Sequence, residues 1–310
     1  MDNFRNQITR PIRVDLHIHT TASDGTDAPA DIVKMAAERS IRILAVTDHD
    51  TIDGLPEAIA AGKRLGVTVI PGIEISAGFD GQSVHILGLG IRSPDPAFLA
   101  MLQRIREGRN TRNPRIIHKL QLLGYPVTVE DVQACAGGDI LGRLHIAQAL
   151  VNRGLVPSID HAFSHLLVRG GAAYVERYRP DAAEAADHIR HSGGQPVLAH
   201  PGLMRFDGDL HRLHGYIVRL KAMGLDAMET HYSGHSRSVY AALKQFAREL
   251  SMIESAGSDY HGGHKSSQLG IGCCGEPIDA GDVEPLLKRV SVDLPLDINV
   301  SAGIREDWER

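Results

Sequence analysis

The sequence has little that would staple the chain or anchor it. Of its 310 residues only Cys135, Cys273 and Cys274 are cysteine. They form no CxxC and adjacent cysteines rarely pair, so no disulfide framework is expected and a reducing compartment is. No apolar run approaches membrane-spanning length. Residues 1–13 carry charges throughout and lack an apolar h-region, which excludes a signal peptide of the usual kind. A cytoplasmic protein is the expectation. Nor is there an excess of positive charge: 33 basic residues face 38 acidic ones, for a net charge of −5. That argues against a DNA-binding or general nucleic-acid-binding surface. It leaves room for an anionic substrate, because bound metal ions supply local positive charge. Gly78, Gly81, Gly137 and Gly138 make no GxxxxGK[ST] loop, and no GxGxxG follows a strand. Aromatic residues are few, at 5%, while glycines number 32. That balance suits a chain with many strand–helix turns.

A hydrophobic content of 43% is enough for a sizeable core, and 17 residues are histidine. Where the histidines fall is more telling than their number. In Val14-Asp15-Leu16-His17-Ile18-His19 apolar and polar residues alternate with the period of a strand, which sends both histidines to one face. The small polar stretch from Thr20 to Gly25 reads as a loop, and its Asp24 can add an oxygen ligand. A single strand histidine is usually half-exposed or simply hydrogen-bonded. Here the pattern recurs at other strand ends.

Helices are predicted over 29–39 and 54–65, with strands over 41–46, 67–76 and 82–88, the last two joined as a hairpin. The strand–helix rhythm then stops. Residues 94–180 read as an all-helical insertion, with helices over 98–123, 129–136, 144–151 and 159–167. Asn113-Pro114 should kink or break the first of these. The rhythm returns with helices over 181–191, 211–223 and 236–250 and strands over 196–199, 227–229 and 252–257. The expected organisation is therefore a barrel from 1–93 and 181–310, with 94–180 covering its mouth. Nothing after Gly270 offers a motif.

Most predicted strands end in a metal-competent residue: His17 and His19, His49, Glu74, His85, His200, and Asp259 with His261. A parallel αβ barrel gathers strand C-termini around one mouth, so residues scattered in sequence would meet. The donor set is nitrogen and oxygen without sulfur, which suits Mn²⁺, Zn²⁺ or Fe²⁺. So many ligands exceed the needs of one ion and point to two or three divalent ions, manganese foremost. Such clusters clamp phosphoryl oxygens and ionise a bridging water.

His17-x-His19 with Asp24, Thr47-Asp48-His49-Asp50, Gly72-Ile73-Glu74, Val84-His85, Ala199-His200-Pro201 and Ser258-Asp259-x-His261 resemble the motifs of the polymerase and histidinol phosphatase (PHP) family. The resemblance spans most of the chain and implies an α/β fold, a distorted (β/α)₇ TIM-like barrel. It implies that His17, His19, Glu74 and Asp259 hold one ion. Glu74 would bridge to a second ion with His85 and His200, and Asp24, His49 and His261 would hold a third. A hydroxide bridging two ions, held by Glu74, would be the nucleophile. Gly142-Arg143-Leu144-His145 inside the insertion and the later His235-Ser236 resemble the subgroup of 3′,5′-nucleotide bisphosphate phosphatases and enzymes that trim RNA 5′ ends.

On that resemblance the substrate is a nucleoside 3′,5′-bisphosphate, such as pAp, cleaved at its 3′-phosphate. A 5′–3′ exoribonuclease acting on short RNA is the alternative, and a metal-stabilised binding domain without turnover is the rival from another class. Arg143 and His145 are candidates to grip a second phosphate. His231, His235, Ser236 and His264 are further substrate-binding candidates, with His235 as the candidate acid. Arg106, Arg109, Arg112 and Arg115, at three-residue spacing, read as a solvated helix face. Glu229 is a candidate to support a metal ligand, and Asp48 and Asp50 to orient His49.

Overall fold

The structure, a computed structural model, describes residues 11–136 and 141–290. Most of the N-terminal segment tested for a signal peptide, Gly137 and Gly138, and the end of the tail after Gly270 lie outside the described residues.

Seven strands run side by side in chain order: β1 (Arg13–Ile18), β2 (Ile41–Val46), β3 (Thr68–Phe79), β4 (Gln82–Leu89), β5 (Gln195–Leu198), β6 (Ala227–Tyr232) and β7 (Ile253–Gly257). Pairing is parallel from β1 to β3 and from β5 to β7, while β4 runs antiparallel between β3 and β5. The reversal follows from the tight β3–β4 turn, where Asp80 and Gly81 both take positive φ. A bridge between Ile18 and Tyr260, with the Asp259 amide donating to the His17 carbonyl, brings the last strand end back to the first. The result is a nearly closed, distorted barrel. Gly257 makes the closure possible, because a Cβ there would lie 2.3 Å from that of His17.

The parallel strands are linked through α1 (Pro29–Glu38), α2 (Leu55–Leu65), α8 (Leu210–Ala222) and α9 (Arg237–Glu249), and α7 (Ala182–His191) leads into β5. Inward residues such as Val14, Ile43, Leu87, Val197 and Ala227 pack with Ile278, Val283, Leu286 and Leu287. The tail that carries no sequence motif thus supplies part of the barrel core.

Between β4 and β5 lie α3 (Pro96–Leu122), α4 (Val129–Gln133), α5 (Arg143–Asn152) and α6 (Ile159–Ala162). Most of this stretch packs into an apolar cluster of its own around Ile116, Leu120, Ile146 and Leu150. The expected break at Pro114 is absent, and α3 continues through it. Its first half is held by Phe98, Met101 and Ile105 in a cluster shared with barrel residues, and its second half by the insertion cluster. Burial at both ends outweighs the hydrogen bond that proline forgoes. The predicted helix over 159–167 is one α-turn followed by a π-helical turn, Phe163–Leu167.

Candidate metal centre and active-site cavity

The ends of the strands deliver their side chains to one point. His17 and His19 leave the end of β1 on the same side, as alternation requires. Asp50, His200 and Asp259 each sit just beyond a strand at positive φ, a region that non-glycine residues seldom occupy. Those turns aim His200 and Asp259 inward.

Three groups of side chains have ligand atoms within 4.8 Å of one another: His17, His19, Glu74 and Asp259; His19, Asp24, His49 and His261; and His49, Glu74 and His85. Glu74 lies between them. Its Oε1 is 2.9 Å from both His85 Nδ1 and His200 Nε2. Its Oε2 is 3.0 Å from His49 Nδ1 and 3.1 Å from His19 Nε2. All nine motif residues therefore meet at one end of the barrel, although His49 is nearer to Glu74 than the motif grouping implies.

The donor set fits divalent cations. Glu74 Oε2, His19 Nδ1 and His49 Nδ1 are buried and make no well-formed hydrogen bond, although Oε2 and His49 Nδ1 are 3.0 Å apart, a crowding of donors that suits a shared cation. The charges agree. Burial works against ionising His19, yet Asp259, Glu74 and Asp24 raise its pKa to about 9. Burial likewise opposes the His17 charge, and Glu229, Glu74 and Asp259 raise its pKa well above the usual value. Desolvation disfavours the carboxylates of Glu74, Asp24 and Asp259, yet the surrounding cations hold all three pKa values well below the carboxylate range. A set of groups so short of positive charge takes up protons where it lacks an ion.

Support behind these residues is built from buried hydrogen bonds. Glu229 accepts from His17 Nδ1 at 2.9 Å and from the His200 amide at 2.7 Å. Tyr232 and Lys265 both donate to Asp259 Oδ2, at 2.9 and 2.6 Å. Asp48 and Asp50 do not bind His49. Asp48 ties the loop after β1 through Thr20 and Ser23, and Asp50 accepts from Ser76 and Arg109.

Above the centre opens a cavity of about 1060 Å³ bordered by Asp24, His49, His85 and His261 on one side and by insertion residues on another. Its most distinctive wall is cationic. Arg109, Arg112, Arg143, Arg177 and Arg179 all line it. Here the solvated-face expectation fails for half of the arginine row: Arg109 and Arg112 are 6% and 3% exposed. Helix α3 belongs to the insertion, and the face that carries Arg109 and Arg112 turns to the cavity. Arg177 and Arg179 carry no local signal in the sequence and were missed, as was Lys265.

Among the described residues Arg112 and Arg143 have no carboxylate partner, whereas Arg179 pairs with Glu176. Arg109 donates to Asp50, which Arg177 approaches at 3.7 Å. Arg112 Nε and Nη2 reach only the neutral Asn113 Oδ1, at 3.1 and 2.8 Å. Burial first, and then Arg109, Arg177, Arg143 and Arg179, push the Arg112 pKa well below its usual value. Arg143 Nη1 donates to the Leu167 carbonyl at 2.9 Å, and burial lowers its pKa to about 10.

Several other substrate-binding candidates lie elsewhere. His235 is buried, with Nδ1 against the Thr230 carbonyl at 2.9 Å and Nε2 accepting from the Gly202 amide at 3.1 Å. Both nitrogens are used, and burial lowers its pKa to about 4, so it cannot serve as the acid. His231 is buried between the Cys273 amide and the Pro277 carbonyl. Ser236 caps α9 by accepting from the Val239 amide. None of the three borders the cavity. His145 is fully buried, its Nδ1 accepting from the Gly142 amide, so it shapes the start of α5 instead of touching a ligand. His264 does line the cavity, with Nδ1 against the Asp24 carbonyl at 3.0 Å.

Residues 15–149 match the PHP domain. The chain is 35% identical over 80% of its length to a 5′-3′ exoribonuclease of Haemophilus influenzae, covering 90% of that protein. The chain belongs to the PHP family. A second PHP relative, the 3′,5′-nucleoside bisphosphate phosphatase of Chromobacterium violaceum, is 33% identical over 80% of this chain and 87% of its own. A solved structure described as an amidohydrolase from Chromobacterium violaceum, with sulfate bound and no metal, superposes with a TM-score of 0.80 at 31% identity, over 89% of this chain and 96% of that one. PHP membership makes this protein a metal-dependent phosphoesterase with a TIM-like barrel. Among the described residues no helix is long and apolar enough to cross a membrane.

Proposed function

We propose that the protein is a phosphoric monoester hydrolase that removes the 3′-phosphate of nucleoside 3′,5′-bisphosphates. The observation that carries this is the juxtaposition in one cavity of the strand-end centre, which would attract a phosphate once it held divalent ions, and the guanidiniums of Arg112 and Arg143. A substrate with one phosphate would satisfy the first and leave Arg112 and Arg143 desolvated without a counter-charge.

His17, His19, Glu74 and Asp259 would hold one divalent ion, Glu74 with His85 and His200 a second, and Asp24, His49 and His261 a third, manganese being favoured. Bound there, the ions supply Lewis acidity and ionise water near neutral pH. The chain's own residues do the rest. Glu229, Tyr232 and Lys265 fix the orientation of His17 and Asp259. Arg112, Arg143 and Arg179 bind the phosphate that is not cleaved, because guanidinium forks match phosphate oxygens. Arg109 and Arg177, tied to Asp50, form the wall behind them. With both His235 nitrogens engaged by backbone, His264 is the histidine outside the nine that faces the cavity and can hold a proton near a leaving oxygen. Residues 94–180 act as an insertion that closes over the mouth.

Cleavage of short RNA from its 5′ end is the second reading. The cavity volume, about 1060 Å³, lies just above the ~300–1,000 Å³ typical of small-ligand sites, and several relatives bear that name. The test is a phosphate-release screen with Mn²⁺ over nucleoside bisphosphates, monophosphates and 5′-phosphorylated oligoribonucleotides. Release from bisphosphates far above monophosphates is expected. Nucleotide release from oligomers with no inorganic phosphate from bisphosphates would give the site to the exonuclease.

A further inference from the structure

The cavity has a wall for which phosphate chemistry has no use. The insertion also lines the cavity with Leu144 and Val151 from α5, Ile159 from α6 and Phe163. Phe163 opens the π-helical turn, whose Leu166 and Leu167 are buried in the insertion's apolar cluster. Phe163 packs against the same cluster, as do Val151 and Ile159, and stays half-buried where it borders the cavity. Single π turns inside helices recur at functional sites. Apart from histidines, the cavity's other aromatic is Tyr232, and its hydroxyl is committed to Asp259.

The Phe163 ring adjoins the cationic wall, with the Arg143 guanidinium carbon 5.6 Å from its centroid. A ligand whose phosphate is held by the arginines therefore has an aromatic and aliphatic surface within the same cavity. A sugar phosphate would leave that surface wet, whereas a planar heterocycle would cover it. We infer that Phe163 is a specificity-determining residue that stacks against the base of a nucleotide ligand, with Leu144, Val151 and Ile159 completing an apolar slot. This rests on the reading of the substrate as nucleotide-like and adds the part of the nucleotide that is recognised. Base–aromatic stacking is typically worth about 1–3 kcal/mol, roughly a five- to hundredfold change in affinity.

Calorimetric titration of the intact Mn²⁺-treated protein with adenosine 5′-monophosphate and with ribose 5-phosphate tests it. The expected result is tighter binding of the nucleotide by about tenfold or more. Phe163→Ala should abolish that preference without changing ribose 5-phosphate affinity, and Phe163→Tyr should retain it. Equal affinity for both ligands in the unmodified protein, or equal weakening of both by Phe163→Ala, would overturn the inference. A preference that Phe163→Ala leaves intact would overturn it too. A 5′-phosphorylated dinucleotide identifies the base. If only its binding responds to Phe163→Ala, stacking on the nucleotide's own base is overturned and the slot takes the next base of an RNA; if the mononucleotide responds as well, the inference stands. Phosphate release from a nucleoside 3′,5′-bisphosphate is followed in parallel. Base-dependent binding through Phe163 without any release supports the stacking role and sinks the hydrolytic reading alone.

Discussion

His17 Nε2 and His19 Nε2 face each other at 3.2 Å, inside the protein, with Asp259 and Glu74 oxygens around them. Two imidazole lone pairs converging at that distance call for a cation. The expected stoichiometry is more than one transition-metal ion per chain, since the nine converging side chains exceed one coordination shell. Elemental analysis after Mn²⁺ loading and gentle desalting measures it, with Glu74→Ala as control. One ion or fewer, unchanged in the control, would remove the cluster.

Metal uptake should release protons. With no ion bound, the folded-state pKa of His19 is raised to about 9 and that of His17 also lies well above 6.5. A raised histidine pKa stabilises the fold fully below the unfolded value of about 6.5, and that contribution is lost as pH rises through about 9. The melting temperature of chelator-treated protein should therefore fall between pH 6.5 and 9.5, and Mn²⁺ should flatten the decline. Proton release in weak buffer at pH 7.5 gives an independent readout.

Glu229→Gln should lower metal affinity by about 10- to 100-fold, as loss of a carboxylate behind a ligating histidine usually does. The amide can still accept from the His200 amide but cannot offer His17 Nδ1 a charged partner. Competition with a chromogenic chelator measures the affinity, and unaltered binding would return Glu229 to a packing role.

Arg143→Ala and Arg112→Met should each lower kcat/KM for a 3′,5′-bisphosphate by roughly ten- to hundredfold, the worth of one charge-assisted contact. Hydrolysis of a small aryl phosphate should hardly change. Arg112→Met should also leave the fold as stable or raise its melting temperature, because it removes a buried guanidinium whose hydrogen-bond partner is the neutral Asn113. Equal kinetic losses on both substrates would instead place these residues at the reacting phosphate.

Asp50 is the buried carboxylate that Arg109 and Arg177 share. Burial alone would raise its pKa, but those two guanidiniums hold it below the usual range. Asp50→Asn leaves two buried cations uncompensated and should cost about 3–5 kcal/mol, read by denaturant titration. Because a depressed carboxylate loses its contribution as pH falls, the deficit relative to the unmodified protein should shrink in acid.

The strand-end motifs were legible because each is local. Alternation in Val14–His19 dictates which side chains share a face, and the chain-wide recurrence of such ends implies a barrel mouth where they meet. The same logic does not reach the arginines. Nothing near Arg177 or Arg179 marks them, and the three-residue spacing of Arg106, Arg109, Arg112 and Arg115 describes a helix face without saying what covers it. Likewise a histidine in a loop near the mouth can point either way. His264 and His235 look alike in sequence, yet one borders the cavity while backbone groups consume both nitrogens of the other.

By itself the sequence determined the kind of barrel and the donors gathered at its mouth, since period-two alternation and strand ends are properties of neighbouring residues. Only the tertiary structure decided which cations and which aromatic face the substrate. Their burial depends on which residues from distant stretches border the cavity, and that is fixed by packing between segments far apart in the chain, such as α3 against Asp50.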